Sequence, residues 1–364
     1  MENQKLYLPH NLIIEILLRL SVKSLISFTC VCKSWLTLIS NPDFANSHFQ
    51  LTATAQTRRI LFISHSSIPI QSRDFESSFK NDPDSLNLNF TPPEFCFRLQ
   101  IKGSGRGFVF LHRSLNIYIW NPSTGFHKQI PLSPFNSNLE EYYFGSLYGF
   151  GYDQSRDDYL VVSISCDKTR SSHLEFFSLK DNSWREIEGT HTAYRNGFYN
   201  AKVGSLLNGA IHWLTYRRDS PLHLIVAFNL MERKLLEIPV PVPDDFHDDP
   251  PYFGLWVFGE FLSLWAMGSY NHTLKLRVMK EYKLHSSWTK TLVVRIDDAI
   301  PNFYPLCSTK SGDIIGSDGG LGLVKYNDKG QLLEYSSYHN YPLRSQAIMY
   351  TESLLSFPVD GEQV

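Results

Sequence analysis

A chain of 364 residues and 42.0 kDa has room for two or three domains with substantial cores. Its 34 Lys and Arg against 36 Asp and Glu give a net charge of −2, which excludes a global positive field drawing it to nucleic acid or an anionic membrane. Aromatic residues at 14%, with 21 Gly and 19 Pro, point instead to a β-rich body with many turns.

The first fifty residues are helical in pattern. Pro9 suits a first helical position, where its missing N–H costs nothing. Leu12, Ile13, Ile16, Leu17 and Leu20 then form one broad apolar stripe, with Glu15 and Arg19 paired at i, i+4 on the other side. Interrupted by Pro9, Glu15 and Arg19, this stretch predicts neither a signal peptide nor a membrane span. A second helix is expected over 22–31 and a third over 32–39, ended by Asn41-Pro42. Three such short helices cannot bury all their oily faces alone. They either cap the rest of the chain or dock another protein's helices.

The residues Leu8-Pro9-His10-Asn11-Leu12-Ile13-Ile14-Glu15-Ile16-Leu17-Leu18-Arg19-Leu20, Val22-Lys23-Ser24-Leu25, Val31-Cys32-Lys33-Ser34-Trp35 and Ile39-Ser40-Asn41-Pro42-Asp43-Phe44 closely resemble the plant F-box. Ser21 departs from the pattern, standing where the family usually carries proline, and a softer helix boundary is expected there. The resemblance implies docking to a Skp-family adaptor and, through it, to a cullin and RING scaffold. The adaptor-facing residues it implies are Leu8, Pro9, Ile13, Ile16, Leu17, Leu20, Leu25, Val31 and Trp35.

Beyond a polar linker at 51–57, the pattern over 58–364 is β throughout. A strand ending in a large residue, a polar turn and a second strand recur near Trp120, Phe177, Phe228, Tyr282 and Tyr326, spaced by 57, 51, 54 and 44 positions. Spacing near fifty is that of four-stranded propeller blades. Upstream hairpins are expected over 100–112, 148–164, 203–216, 255–267 and 304–317; Asn208-Gly209 suits a two-residue type I′ turn. Segments 347–350, 354–357, 60–64 and 95–101 remain, and combine as a sixth blade that closes the ring. Two stacked β-sheets without radial symmetry are the alternative architecture. Trp120, Trp184, Trp213 and Trp288 sit at repeated strand positions and read as blade core.

This body resembles the F-box-associated, kelch-like domain of plant F-box proteins. The motifs that carry the likeness are Trp120-Asn121-Pro122-Ser123-Thr124, Tyr148-Gly149-Phe150-Gly151-Tyr152-Asp153 with Asp157-Asp158-Tyr159, Asn208-Gly209-Ala210-Ile211-His212-Trp213, Val278-Met279-Lys280-Glu281-Tyr282 and Tyr350-Thr351-Glu352-Ser353-Leu354. Arg106 stands where the family usually has Asn, in a turn rich in glycine.

A search for chemistry finds little. Cys30, Cys32, Cys96, Cys166 and Cys307 are odd in number and scattered, fitting neither a disulfide framework nor a zinc site. A reducing compartment is the simplest inference, with a soluble chain in cytoplasm and/or nucleus; the sequons beginning at Asn89 and Asn271 are then idle. Segment 103–107 lacks the spacing of a phosphate cradle, the acidic run 244–249 lacks an EF-hand register, and no hydrolase or metalloprotease motif is present. The expectation is a protein without catalysis, cofactor or metal.

Binding is the better-supported reading. In a propeller the a–b and c–d turns share one face and the b–c and d–a connections the other. The longer excursions, at 133–143, 166–173, 189–200, 217–223, 243–252, 269–273 and 297–303, fall mostly in the second set. Their large side chains nominate Tyr142, Tyr143, Tyr194, Arg195, Tyr199, Arg217, Arg218, Phe246 and Tyr270 as contacts for a target protein. The expected function is that of a substrate receptor in a Skp–cullin–F-box ubiquitin ligase. The rivals are a non-degradative propeller scaffold whose head caps its own fold, and a propeller enzyme acting on glycans.

Overall fold

The structure is a computed structural model of the chain. It describes residues 8–53, 58–63, 70–79, 86–88, 90, 99–113, 116–135, 146–166, 172–188, 194–195, 203–217, 219–220, 222–240, 252–268, 272–296, 300, 303–319, 321–337 and 345–357.

Four helices form the head: α1 (His10–Leu17), α2 (Val22–Phe28), α3 (Lys33–Ile39) and α4 (Pro42–Thr52). Glu15 and Arg19 pair at 3.0 Å on the outside of α1, as their spacing predicts. Ser21 makes a defined boundary where a soft one was expected: its Oγ accepts from the Ser24 backbone N–H at 3.2 Å and caps α2. The fourth helix adds to the three that the sequence predicts. Asn41-Pro42 ends α3 but also starts α4, because Asn41 Oδ1 accepts from the N–H groups of Asp43 and Phe44 and proline occupies the first turn. Leu17, Leu18, Leu25, Ile39 and Phe44 make the head's own small core.

The remainder is a six-bladed β-propeller. Strands β1 (Arg58–Ile63), β2 (Ile70–Asp74) and β3 (Leu86–Leu88) begin a blade that lacks its inner strand. The next three blades are β4 (Gln100–Gly105), β5 (Phe108–Arg113), β6 (Asn116–Trp120) and β7 (His127–Ile130); then β8 (Leu147–Asp153), β9 (Asp158–Cys166), β10 (Ser172–Ser178) and β11 (Ser183–Ile187); then β13 (Ser205–Leu207), β14 (Ala210–Arg217), β15 (His223–Asn229) and β16 (Lys234–Pro239), with β12 (Tyr194–Arg195) pairing the far half of β14. The last two are β17 (Tyr252–Phe258), β18 (Phe261–Met267), β19 (Thr273–Met279) and β20 (Trp288–Arg295), and β21 (Phe303–Ser308), β22 (Ile314–Asp318), β23 (Gly322–Tyr326) and β24 (Leu332–Ser337). Finally β25 (Gln346–Thr351) returns to pair antiparallel with β1 and completes the first blade.

Ring closure therefore uses one C-terminal and three N-terminal strands. Residues 354–357 form no strand, and 100–101 open the second blade rather than joining the closing one. The anchor expected at Tyr282 also moves. It lies in the c–d turn beyond β19, which carries a 3-10 turn at His285–Ser287. Val278 holds the strand position instead, at 50 residues from Phe228 and 48 from Tyr326.

Six apolar clusters fill the spaces between successive blades. Strand alternation produces them: on β1, Ile60 and Phe62 face the last blade while Leu61 and Ile63 face the second. The Gly149 and Gly151 positions let neighbouring blades approach. A Cβ on Gly149 would stand 2.5 Å from Ile211 Cγ2, and one on Gly151 2.6 Å from Leu230 Cδ1. Trp120, Trp213 and Trp288 are buried, and Trp184 packs partly buried against Phe177. Asn208-Gly209 adopts the left-handed φ values of 49° and 69° that a type I′ turn requires.

Candidate functional site

The head presents apolar side chains that nothing among the described residues covers. Leu8 is 59% exposed, Leu12 and Ile16 are 50%, Val31 is 60% and Leu36 is 47%. Leu12 and Ile16 sit one turn apart on α1, Val31 lies between α2 and α3, and Leu36 is on α3. Pro9 is exposed, while Ile13, Leu20 and Trp35 are half-buried against the head core, Trp35 with its ring 5.4 Å from that of Phe28. Two expected contacts are different in kind. Leu17 and Leu25 are 1% and 0% exposed in the head core, so they hold the helices together and have no surface left for a partner. Leu12, Leu36 and, on α4, Leu51 at 61% are exposed apolar residues of the head absent from the expected adaptor contacts. Periodicity groups Leu12 with Leu17 on one stripe; only the packing of α2, α3 and α4 separates outside from inside.

Helix α4 has two sides. Phe44 joins the head core and His48 Nε2 lies 2.8 Å from the Leu20 carbonyl oxygen, while Ala45 and Phe49 join the apolar cluster between the second and third blades, which also holds Phe108 and the tail residue Phe357. Leu354 touches both the head core and the propeller core. The tail that carries it is held by Asn121, whose Nδ2 donates to Ser353 O at 3.1 Å, Ser353 Oγ at 3.0 Å and Leu355 O at 2.9 Å. Asn121 is fully buried and belongs to the Trp-Asn-Pro-Ser-Thr motif; Ser123 Oγ returns a bond from the Ser353 N–H at 3.2 Å. The head thus sits on the face of the a–b and c–d turns.

Most expected target contacts lie outside the described residues: Tyr142, Tyr143, Tyr199, Arg218, Phe246 and Tyr270, together with the side chain of Arg195. Tyr194 and Arg217 are described and share a partner. Tyr194 is 8% exposed in the core between the third and fourth blades, and its hydroxyl donates to Glu237 Oε1 at 2.7 Å. The Arg217 guanidinium grips both oxygens of the same carboxylate. Burial pushes Glu237 upward, but the bonds from Arg217 and Tyr194 and the Arg217 charge outweigh it, so the carboxyl stays below its ordinary range. Tyr194 therefore has no free ring face for a target, whereas Arg217 remains half-exposed beside its carboxylate.

A cleft of about 460 Å³ opens between the third and fourth blades, on the head-bearing face. Arg156, Lys180, Arg185 and Arg233 line it, but Asp153 takes salt bridges from Arg156 and Arg233, and Asp181 from Arg185. Among the described residues no group of three or more His, Cys, Asp or Glu stands ready for a metal ion. His212 is fully buried and bridges blades, with Nδ1 3.1 Å from the Ser205 carbonyl oxygen and Nε2 2.7 Å from the Tyr282 hydroxyl. Burial lowers its pKa to about 4, the behaviour of a packed neutral imidazole. Among the described residues no helix is long and apolar enough to cross a membrane.

Two family models match the chain. Residues 6–46 match the F-box domain, and residues 107–332 match the F-box associated β-propeller domain. Similar proteins include F-box protein CPR1 of Arabidopsis thaliana, 29% identical over 81% of this chain and 75% of that protein. An F-box/kelch-repeat protein of the same plant, At3g23880, is 25% identical over 97% of this chain and 98% of its own length. Among solved structures, TolB from Acinetobacter baumannii aligns with a TM-score of 0.42 at 8% identity, over 85% of this chain and 71% of that one.

Proposed function

Since the chain belongs to the plant F-box proteins that carry an F-box associated β-propeller domain, we propose that it is the substrate-recognition subunit of a Skp–cullin–F-box ubiquitin ligase. The observation that carries this reading is the uncovered apolar surface of Leu8, Leu12, Ile16, Val31 and Leu36. A self-contained head would turn those side chains inward. This one instead attaches to its propeller through α4 and the tail and leaves α1 and α3 open. Apolar side chains left in water on a small helical unit favour association with a partner of matching character, here a Skp-type adaptor.

The propeller supplies the second binding function. Its six blades present opposite the head the strand ends that the b–c and d–a connections join, and there Arg217 and the contacts expected at Tyr142, Tyr143, Arg195, Tyr199, Arg218, Phe246 and Tyr270 would meet a target protein. The chain makes and breaks no bond in this scheme. Holding a target on the same scaffold as a charged ubiquitin-conjugating enzyme raises the effective concentration of target lysines at the thioester.

The test is co-purification of the full-length chain with a Skp-type adaptor. The native chain should carry adaptor and cullin; an Ile16→Asp variant should lose both, because a charge would enter an apolar interface. A correctly folded native chain that captures no adaptor would reject the proposal. The contact of Ala45 and Phe49 with the propeller gives partial support to a second reading, a non-degradative scaffold with a capping head. Under that reading Ile16→Asp leaves every partner in place.

A further inference from the structure

Arg106 occupies a backbone conformation that disfavours it. Together with Gly107 it makes the two-residue turn between β4 and β5, at φ 44° and 84°. A left-handed turn position of this kind suits Asn or Gly, and a long side chain persists there when its surroundings hold it in place. The surroundings here come from two domains. Arg106 Nη2 donates to Asn46 Oδ1 of α4 at 2.7 Å, and the guanidinium lies over the Phe49 ring of the same helix at 5.4 Å. On the propeller side it lies over the ring of Tyr152 on β8, at 3.9 Å, and bonds the Tyr159 hydroxyl on β9.

The tail reinforces the same place. Gly107 lies so close to Ser353 that a Cβ there would fall 1.9 Å from Ser353 Oγ. Asn121 fixes Ser353 and Leu355, and Phe357 stacks on Phe108 with ring centroids 4.2 Å apart. Between these two anchors Leu354 reaches into the head core. Head helix, propeller turn and C-terminal segment therefore interlock.

We infer that α4, the 352–357 tail and Arg106 form a rigid joint, with Arg106 as its pin, that holds the head at one fixed angle on the short-turn face of the propeller. Arg106 is a positioning residue: it touches neither adaptor nor target. Without the joint, only the covalent path of the chain from α4 to β1 would tie the head to the propeller. With it, the head surface and the far face of the blades keep a constant separation. Where the proposed ligase function holds, that constancy determines which lysines of a bound target come within reach.

Pulsed dipolar spectroscopy on the full-length chain tests the joint. One spin label goes on exposed Cys30 and another on an introduced cysteine, Asp328→Cys, in the exposed turn between β23 and β24. Cys32, Cys96 and Cys166 are replaced by serine, and buried Cys307 stays. The native chain should give one narrow distance distribution. Arg106→Asn is the decisive variant. Asparagine suits the left-handed turn better than arginine, so a residue serving only the turn would leave both the melting temperature and the distance unchanged or improved. A pin predicts a broad or multiple distribution at an unchanged or higher melting temperature. Asn46→Ala removes the same bond from the head side and should broaden the distribution likewise, which decides the matter if Arg106→Asn fails to fold. A broad distribution in the native chain, or a narrow one in both variants, overturns the inference. The readout needs no adaptor and no target, so it stands apart from the test of the ligase function.

Discussion

Replacing Leu12 and Ile16 together by alanine separates docking from folding within the same helix. Both side chains are 50% exposed, so an adaptor would cover the half that water still reaches. Full burial of a Leu or Ile side chain stabilises by about 1.5–3 kcal/mol, so the remaining half contributes about 1 kcal/mol each. The pair should then lose about 2 kcal/mol of binding, roughly 30-fold in Kd. Leu17, one residue further along, is 1% exposed among Leu18, Leu25, Ile39 and Phe44. Leu17→Ala leaves a void there and should cost about 2–5 kcal/mol of head stability. Titration calorimetry with a Skp-type adaptor reads the first effect; limited proteolysis and circular dichroism of the head read the second. The double variant should bind weakly with a protected head, and Leu17→Ala should bind weakly because its head opens. Binding by the double variant within threefold of native, with adaptor docked normally on the native chain, would refute the assignment of this surface.

The propeller yields further predictions. Asn121→Ala strands the buried Ser353 hydroxyl and two backbone carbonyls, Ser353 O and Leu355 O, and should cost about 2–4 kcal/mol in denaturant unfolding, at about 1–3 kcal/mol per unsatisfied group with partial relaxation; a loss under about 0.5 kcal/mol would deny the tail clamp. Gly149→Ala drives a methyl to 2.5 Å from Ile211 and 2.7 Å from Trp213 and should destabilise by about 1–3 kcal/mol, whereas Gly125→Ala, with open space around it, should show only the smaller effect of its left-handed φ of 79°. His212 makes stability depend on pH. Folded, it resists protonation until about pH 4, while the unfolded imidazole takes its proton near the ordinary value of 6.5. The unfolded state thus holds more protons between these limits, and falling pH drains stability by at most about 1.4 kcal/mol per unit from this residue. His212→Gln keeps polar partners for Ser205 and Tyr282 and should flatten the slope of unfolding free energy between pH 6.5 and 4; an identical slope would show that the folded imidazole takes its proton as readily as the unfolded one.

What the sequence revealed, and what it concealed, follows the range of the interactions involved. The head's helices and the Asn208-Gly209 hairpin are local events, encoded within a few residues, and they appear where pattern places them. Helix α4 was equally local but hidden by a double meaning: Asn41-Pro42 terminates one helix and caps the next, and Phe44, Ala45, His48 and Phe49 carry a helical stripe that follows it. Tyr282 shows how counting fails within a repeat. A register shift between Leu276 and Arg277 and the 3-10 turn at His285–Ser287 lengthen that stretch, so the large aromatic nearest the expected spacing lies in a turn and not on a strand. Ring closure is the least local feature. Arg58–Ile63 pairs with Gln346–Thr351 across nearly the whole chain, and no spacing rule distinguishes β25 from the apolar residues 354–357 that follow it. The same holds for the candidate surfaces. Apolar periodicity locates α1, but only assembled packing turns Leu17 inward and Leu12 outward, and the Glu237 carboxylate that occupies Tyr194 and Arg217 is 43 and 20 residues distant from them.

The two departures from the family pattern acquire a common explanation from the geometry. Ser21 replaces a residue that would have stiffened the start of α2, and recovers the boundary with a side-chain cap on the Ser24 N–H. Arg106 replaces a residue better suited to its left-handed turn, and gains a bond to Asn46 and ring contacts to Phe49 and Tyr152. In each case a backbone preference is exchanged for a side-chain contact, but the contacts differ in reach. The cap at Ser21 acts within three residues and changes only a helix end. The contact at Arg106 spans sixty residues and two domains, so the cost of the strained turn falls on the propeller while its consequence appears in the head. A local scoring of that turn would favour asparagine, and would do so by removing the one side chain that crosses from the β4–β5 turn to α4.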